Sequence, residues 1–120
     1  MVDRVVFNVE DKFHEYPGIN PDLEYPHLYQ AILETERDAE ILAGILDKKG
    51  YASRFGCDNE TQEFYVVASK FTLPKNRRVQ AILDKFGHIS MANGAVKYMF
   101  GGIQAYSGNA RKPSLLNRFF

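Results

Sequence analysis

The β-branched and aromatic run Val5, Val6, Phe7 and Val9, broken only by Asn8, predicts a first strand over Arg4 to Val9. Pro17, Gly18, Asn20 and Pro21 follow, and this density of backbone breakers predicts an irregular loop over 10–25. Loops of that length inside a compact domain are usually functional or contact a partner. Leu28, Ile32, Ala39, Leu42 and Leu46 then recur at helical spacing and predict a long helix from Pro26 to Lys49, with Pro26 suited to its first turn and Gly50 to its stop. Leu33, Ile41 and Ile45 lie off that stripe, so the apolar arc is wide or double and needs a cover, either the preceding loop or a second subunit.

Tyr51 to Phe55 and Glu63 to Phe71 are strand-like, and the polar stretch Cys57 to Thr61 supplies the turn of a hairpin between them. Val79, Ile82, Leu83 and Phe86 stand at i, i+3, i+4 and i+7 and predict a shorter helix over Lys75 to Phe86, closed by Gly87. His88 to Ala92 and Ala95 to Phe100 flank Asn93-Gly94, a strong short-range hairpin signal. Beyond Gly101-Gly102 the pattern allows a short strand Ile103 to Tyr106 and an irregular tail over 107–120. The order strand, helix, strand, strand, helix, strand hairpin predicts one α+β domain over residues 1–120. Its antiparallel sheet carries two helices on one face, in split βαβ (ferredoxin-like) order with an extra C-terminal hairpin.

Composition agrees with such a domain: 120 residues, 45% hydrophobic and 13% aromatic, are enough to bury a core. No apolar run is long enough to span a membrane, and the N-terminus lacks the apolar stretch of a signal peptide, so a cytoplasmic protein with no membrane partner is expected. The single cysteine, Cys57, cannot form an internal disulfide, which agrees with a reducing compartment.

Charge changes the picture. Residues 1–65 hold fourteen Asp and Glu against six Lys and Arg, while residues 66–120 hold nine bases against the single acid Asp84, so halves of net −8 and +8 cancel. A basic surface of that size repels itself unless something negative covers it. Lys75, Arg77 and Arg78 crowd the start of the second predicted helix, where the dipole normally attracts carboxylates and free N–H groups bind anions. Alternatively, these cations meet Glu34, Glu36 or Glu40 of the long helix as surface ion pairs worth little. Near the C-terminus, Gly101, Gly102 and Gly108 surround polar residues and precede Arg111 and Lys112. Glycine amides approach phosphates closely and an arginine fork binds them bidentately, although glycine pairs also serve as bulges.

Signatures of familiar hydrolases, kinases and dehydrogenases are missing, and His14, His27 and His88 are far apart in sequence, so no catalytic residue, metal site or cofactor is assigned. The expected function is a small non-catalytic binding protein that captures a nucleotide, a nucleotide-derived signal or a short nucleic acid with its basic C-terminal half. Lys75, Arg77, Arg78 and Arg111 are the candidate phosphate contacts, Tyr98, Phe100 and Tyr106 the candidate stacking groups, and Asn93 a candidate polar contact. The alternative is an oligomeric adaptor or inhibitor acting by protein contact, a homo-oligomer included, with Ile41, Ile45, Leu115, Leu116, Phe119 and Phe120 as apolar anchors.

Overall fold

A computed structural model of the chain describes residues 19–104 and 110–113. The strand expected at Arg4 to Val9, His14, Tyr106 and the tail aromatics lie outside the described residues. The elements run β1 (Tyr25–Leu33), α1 (Glu36–Lys48), β2 (Ala52–Cys57), β3 (Phe64–Thr72), α2 (Asn76–Ala92) and β4 (Ala95–Ile103). They form an α+β structure with a four-stranded sheet of order β2-β3-β1-β4, antiparallel at every pairing.

β1 corrects the sequence-based expectation of one helix from Pro26 to Lys49. Tyr25, His27, Tyr29, Ala31 and Leu33 alternate with half-buried residues and point into the core. Leu28 and Ile32, expected on a helical core stripe, are half-buried on the alternate positions instead. The segment satisfies both periods, and tertiary context decides between them. β1 is central, laddered along its length to β3 on one side and over His27 to Leu33 to β4 on the other, which a helix would forfeit.

The helix begins later for a local reason. Thr35 has extended dihedrals (φ −129°, ψ 152°), and its hydroxyl accepts a hydrogen bond from the Asp38 N–H at 3.1 Å, an N-cap reinforced by Glu36 and Asp38 in the first turn. Gly50 stops it as expected: at φ +95° it lets its own N–H reach the Asp47 carbonyl (3.2 Å) and the Tyr51 N–H reach that of Leu46 (3.1 Å), a Schellman closure. The β2–β3 hairpin also forms where expected. Its turn is organised by Asp58, whose carboxylate accepts from the N–H groups of Glu60 (2.8 Å) and Thr61 (3.2 Å).

A second correction concerns α2, which runs through Gly87 and His88 to Ala92, so the extra hairpin of 88–100 does not form. Gly87 does not end the helix; a side chain there would collide with the Tyr98 ring, which lies directly against it. Asn93-Gly94 instead turns α2 into β4: the Asn93 side-chain amide donates to the Ile89 carbonyl at 2.7 Å and its N–H to that of Ser90 at 3.1 Å. β4 then continues to Ile103, with its register shifting opposite Leu28 and Tyr29 at the Gly101-Gly102 pair.

α1 packs over β2 and β3, and α2 over β4 and β1. Both helices contribute to one cluster with the inward residues of the sheet: Ala39, Leu42 and Leu46 from α1, and Val79, Leu83 and Phe86 from α2. Tyr29 is at its centre, with ring centroids 5.8 Å from Phe86 and Phe100 and 6.4 Å from Tyr51, and its hydroxyl is hydrogen-bonded to Thr72 at 3.1 Å. No helix among the described residues is long and apolar enough to cross a membrane.

Candidate anion-binding groove

α2 opens without the usual compensation for its dipole. Lys75 is the N-cap but makes no side-chain capping bond, and the first turn contains no acid. Lys75, Arg78, Ile82, Lys85 and Ile89 succeed one another at spacings of three, four, three and four residues, which puts them on one stripe of the helix. That stripe lines three adjoining cavities. The first, about 490 Å³, lies between Lys75, Arg78 and Lys112, with Asp22 on its wall. The second, about 260 Å³, shares Arg78 with the first and adds Lys70, Lys85 and the buried Glu24. The third, about 320 Å³, shares Lys70 and Lys85 with the second and ends at Lys49 and Tyr51.

Lys112 reaches this groove through a clasp far from it in sequence. Glu24 and Arg111 exchange backbone hydrogen bonds of 2.8 and 2.9 Å, an isolated antiparallel bridge just before β1. Arg111 Nε also donates to Glu24 Oε1 at 3.0 Å, and its guanidinium lies 4.1 Å from the Phe71 ring centroid. The carboxylate is 2% exposed and the arginine side chain 55%. Because 110–113 are pinned here, Lys112 and Pro113 line the first cavity beside Lys75.

Lys70 is the least ordinary of the cations. Alternation along β3 puts it with Val66, Ala68 and Thr72, which are buried, and it pairs in register with His27. Its ammonium rests 4.6 Å from the Tyr51 ring centroid. Burial, and secondarily the charge of Lys85, lowers its pKa from the usual lysine value. Among the described residues no carboxylate is within ion-pairing distance of Lys49, Lys70, Lys75, Arg77 or Lys85, so the α1 acids do not neutralise these cations.

No family model, curated protein or solved structure matches this chain. The groove therefore stands on its own geometry.

Of the residues singled out by sequence, Lys75 and Arg78 converge in the groove. Arg77 is exposed, about 100° round the helix from Arg78. Arg111 has its Nε engaged by Glu24, Asn93 caps α2, Tyr98 is buried against Gly87, and Phe100 lies among His27 and Tyr29 in the aromatic core. Lys49, Lys70 and Lys85 were not singled out as contacts. The signal for Lys85 was its place ten residues after Lys75 on the same stripe; for Lys70 it was an ammonium on the inward parity of a strand. His27 is buried in β1 and His88 is exposed on α2. Among the described residues no cluster of His, Cys, Asp and Glu could hold a metal ion.

Proposed function

We propose that the chain is a small non-catalytic binding protein that holds a phosphate-bearing ligand, a nucleotide or short nucleic acid, in the groove along α2. The observation that carries this reading is the convergence of Lys75 and Arg78 with Lys112, from the far end of the described chain, around one cavity at the start of an uncapped helix. Free N–H groups, the positive end of the dipole and three cations favour a phosphate there, and the Arg78 guanidinium supplies a planar fork for its oxygens. Of the aromatic side chains expected to stack on a base, Tyr98 is buried and Phe100 packs against the core, so among the described residues recognition falls on the phosphate. The strand order, read as β4-β1-β3-β2, supports a split βαβ architecture in which this groove follows one helix on the covered face.

Calorimetric titration with inorganic phosphate, pyrophosphate, AMP and ATP tests the reading, repeated with Lys75→Ala, Arg78→Ala and Lys112→Ala. Each substitution is expected to weaken binding about tenfold, the loss of one charge-assisted hydrogen bond. No binding of any phosphorylated compound would sink the idea. The competing reading, an adaptor acting by protein contact, draws on Ile41, Ile45 and the tail residues Leu115, Leu116, Phe119 and Phe120, which lie outside the described residues; the large apolar side chains exposed among the described residues are Ile41, Phe55 and Val96, at 46%, 42% and 49%. They belong to three different elements, and single exposed apolar residues are ordinary, so the groove carries the stronger case.

A further inference from the structure

A single phosphate at the start of α2 leaves the far end of the groove unexplained. There Lys49, Lys70 and Lys85 face one space of about 320 Å³ that no carboxylate of the described residues lines. Lys70 is half-buried on the inward side of β3, where an ammonium loses hydration, and the Tyr51 ring beneath it offsets only part of that loss. Three like charges gathered without a neutralising acid among the described residues are a standing repulsion that an anion would relieve.

The two ends belong to one surface. Lys75 and Lys85 are ten residues apart on the same stripe, about 15 Å along the helix axis, and Arg78 and Lys70 line the cavity between them. One phosphate cannot touch both ends; a chain of phosphates can. Little aromatic surface of the described residues is open along the way, because Arg111 covers Phe71 and Tyr51 is buried, so such a chain would be gripped by its charges and not by its bases.

We propose that the Lys49–Lys70–Lys85 cavity is a second phosphate position, so that the groove takes a linear chain of phosphates, a short single-stranded oligonucleotide or an inorganic polyphosphate, in preference to a mononucleotide. This rests on the reading of the groove given above and goes beyond it in ligand class.

The test is fluorescence anisotropy with labelled AMP and labelled oligothymidylates of two, four and eight nucleotides across a salt series, with linear polyphosphate and polyglutamate as competitors. Affinity is expected to rise at least tenfold from AMP to the octamer. Lys70→Gln with Lys85→Gln should weaken the octamer about tenfold and flatten its log–log salt slope by about 1.4, two released counterions on a single strand, with a smaller loss for AMP. Lys75→Ala should weaken both. Lys49→Gln, at an exposed helix end, gives a milder loss that does not depend on the buried side of Lys70, and circular dichroism confirms that each variant is folded. Oligonucleotide binding that is lost to polyphosphate competition only, or tight polyphosphate binding without oligonucleotide binding, identifies which source of phosphates the groove accepts. AMP binding with no dependence on chain length, indifference to the lysine pair, or equal competition by polyglutamate overturns the inference and leaves the groove reading intact. If nothing phosphorylated binds, both fall.

Discussion

The His27 imidazole is fully buried, and its ring nitrogens are fixed by what surrounds them. Nδ1 lies 2.7 Å from the Tyr25 carbonyl, which can only accept, so Nδ1 carries the proton and Nε2, which has no partner, is a bare lone pair. Burial disfavours the imidazolium and lowers the pKa from 6.5 to about 4, against a smaller opposing effect of the carbonyl bond. A depressed folded value means that the native state prefers the neutral ring. His27's contribution is therefore complete above pH 6.5 and is lost as the pH falls from 6.5 towards 4, amounting to about 2 kcal/mol at pH 5 and about 3 kcal/mol at the acid limit. Urea midpoints at pH 7 and pH 5 check this in the native chain and in His27→Gln, which removes the titration while keeping a polar group. Equal pH sensitivity in the two chains would show that the loss arises elsewhere. At Arg111 the expectation is structural as well. Arg111→Ala should cost about 1–2 kcal/mol, less than a fully buried pair because the arginine is half exposed, and should weaken phosphate binding through the displaced Lys112. Denaturant unfolding reads the first effect and calorimetry the second; a variant of unchanged stability would mean that the clasp contributes nothing.

At the scale of elements, α2 gives up stability at the end where the groove begins. Lys75 occupies an N-cap position that serine or aspartate would fill with a hydrogen bond, and the first turn holds Arg77 and Arg78 where carboxylates would be favourable. Lys75→Ser is expected to stabilise the fold by about 0.5–1 kcal/mol, a rise in Tm of a few degrees, while lowering phosphate affinity. A thermal melt with and without phosphate reads both, and a variant that gains neither stability nor loses affinity would refute the trade. The elements also show how far the sequence was legible. The β2–β3 hairpin, the Gly50 stop and the amphipathic stripe of α2 were all readable, because each rests on local chemistry: turn residues, a left-handed glycine, a 3.6-residue period. Tyr25–Leu33 was misread because Leu28 and Ile32 mimic a helical stripe while Tyr25, His27, Tyr29, Ala31 and Leu33 alternate, and only the two neighbouring ladders settle the matter. Thr35-x-x-Asp38, a capping signature, was the local sign that the helix starts after this segment. Gly87 and Asn93-Gly94 were misread for a different reason: one makes room for Tyr98, a contact invisible locally, and the other suits a helix end as well as a hairpin. Lys75 and Arg78 were found from their charge at a helix start, whereas Lys70 needed the sheet register and Lys112 needed the Glu24–Arg111 clasp.

At the scale of the whole fold, the sequence's two charged halves do not remain halves among the described residues. The sheet order β2-β3-β1-β4 alternates strands from the acidic and basic parts of the chain, so the contrast survives between the helices, with acids on α1 and cations along α2. If the α1 acids neutralised the α2 cations, added salt of any kind would weaken the fold by screening that attraction. The geometry argues the opposite for the groove, since Lys49, Lys70, Lys75 and Lys85 have no carboxylate within ion-pairing distance among the described residues, and Lys85 acts on Lys70 as a like charge. An anion that occupies the groove should stabilise the native state by mass action, with a gain that grows with its concentration over its dissociation constant. Phosphate is therefore expected to raise Tm above sodium chloride at equal ionic strength, and linear tripolyphosphate to do so at lower concentration. Phosphate also stabilises proteins generally by exclusion from their surface, an effect that does not depend on a particular lysine. Lys75→Ala with Lys112→Ala separates the two: general exclusion survives the substitutions, while occupation of the groove does not. An identical phosphate-minus-chloride difference in Tm for both chains would mean that the uncompensated lysines are merely solvated.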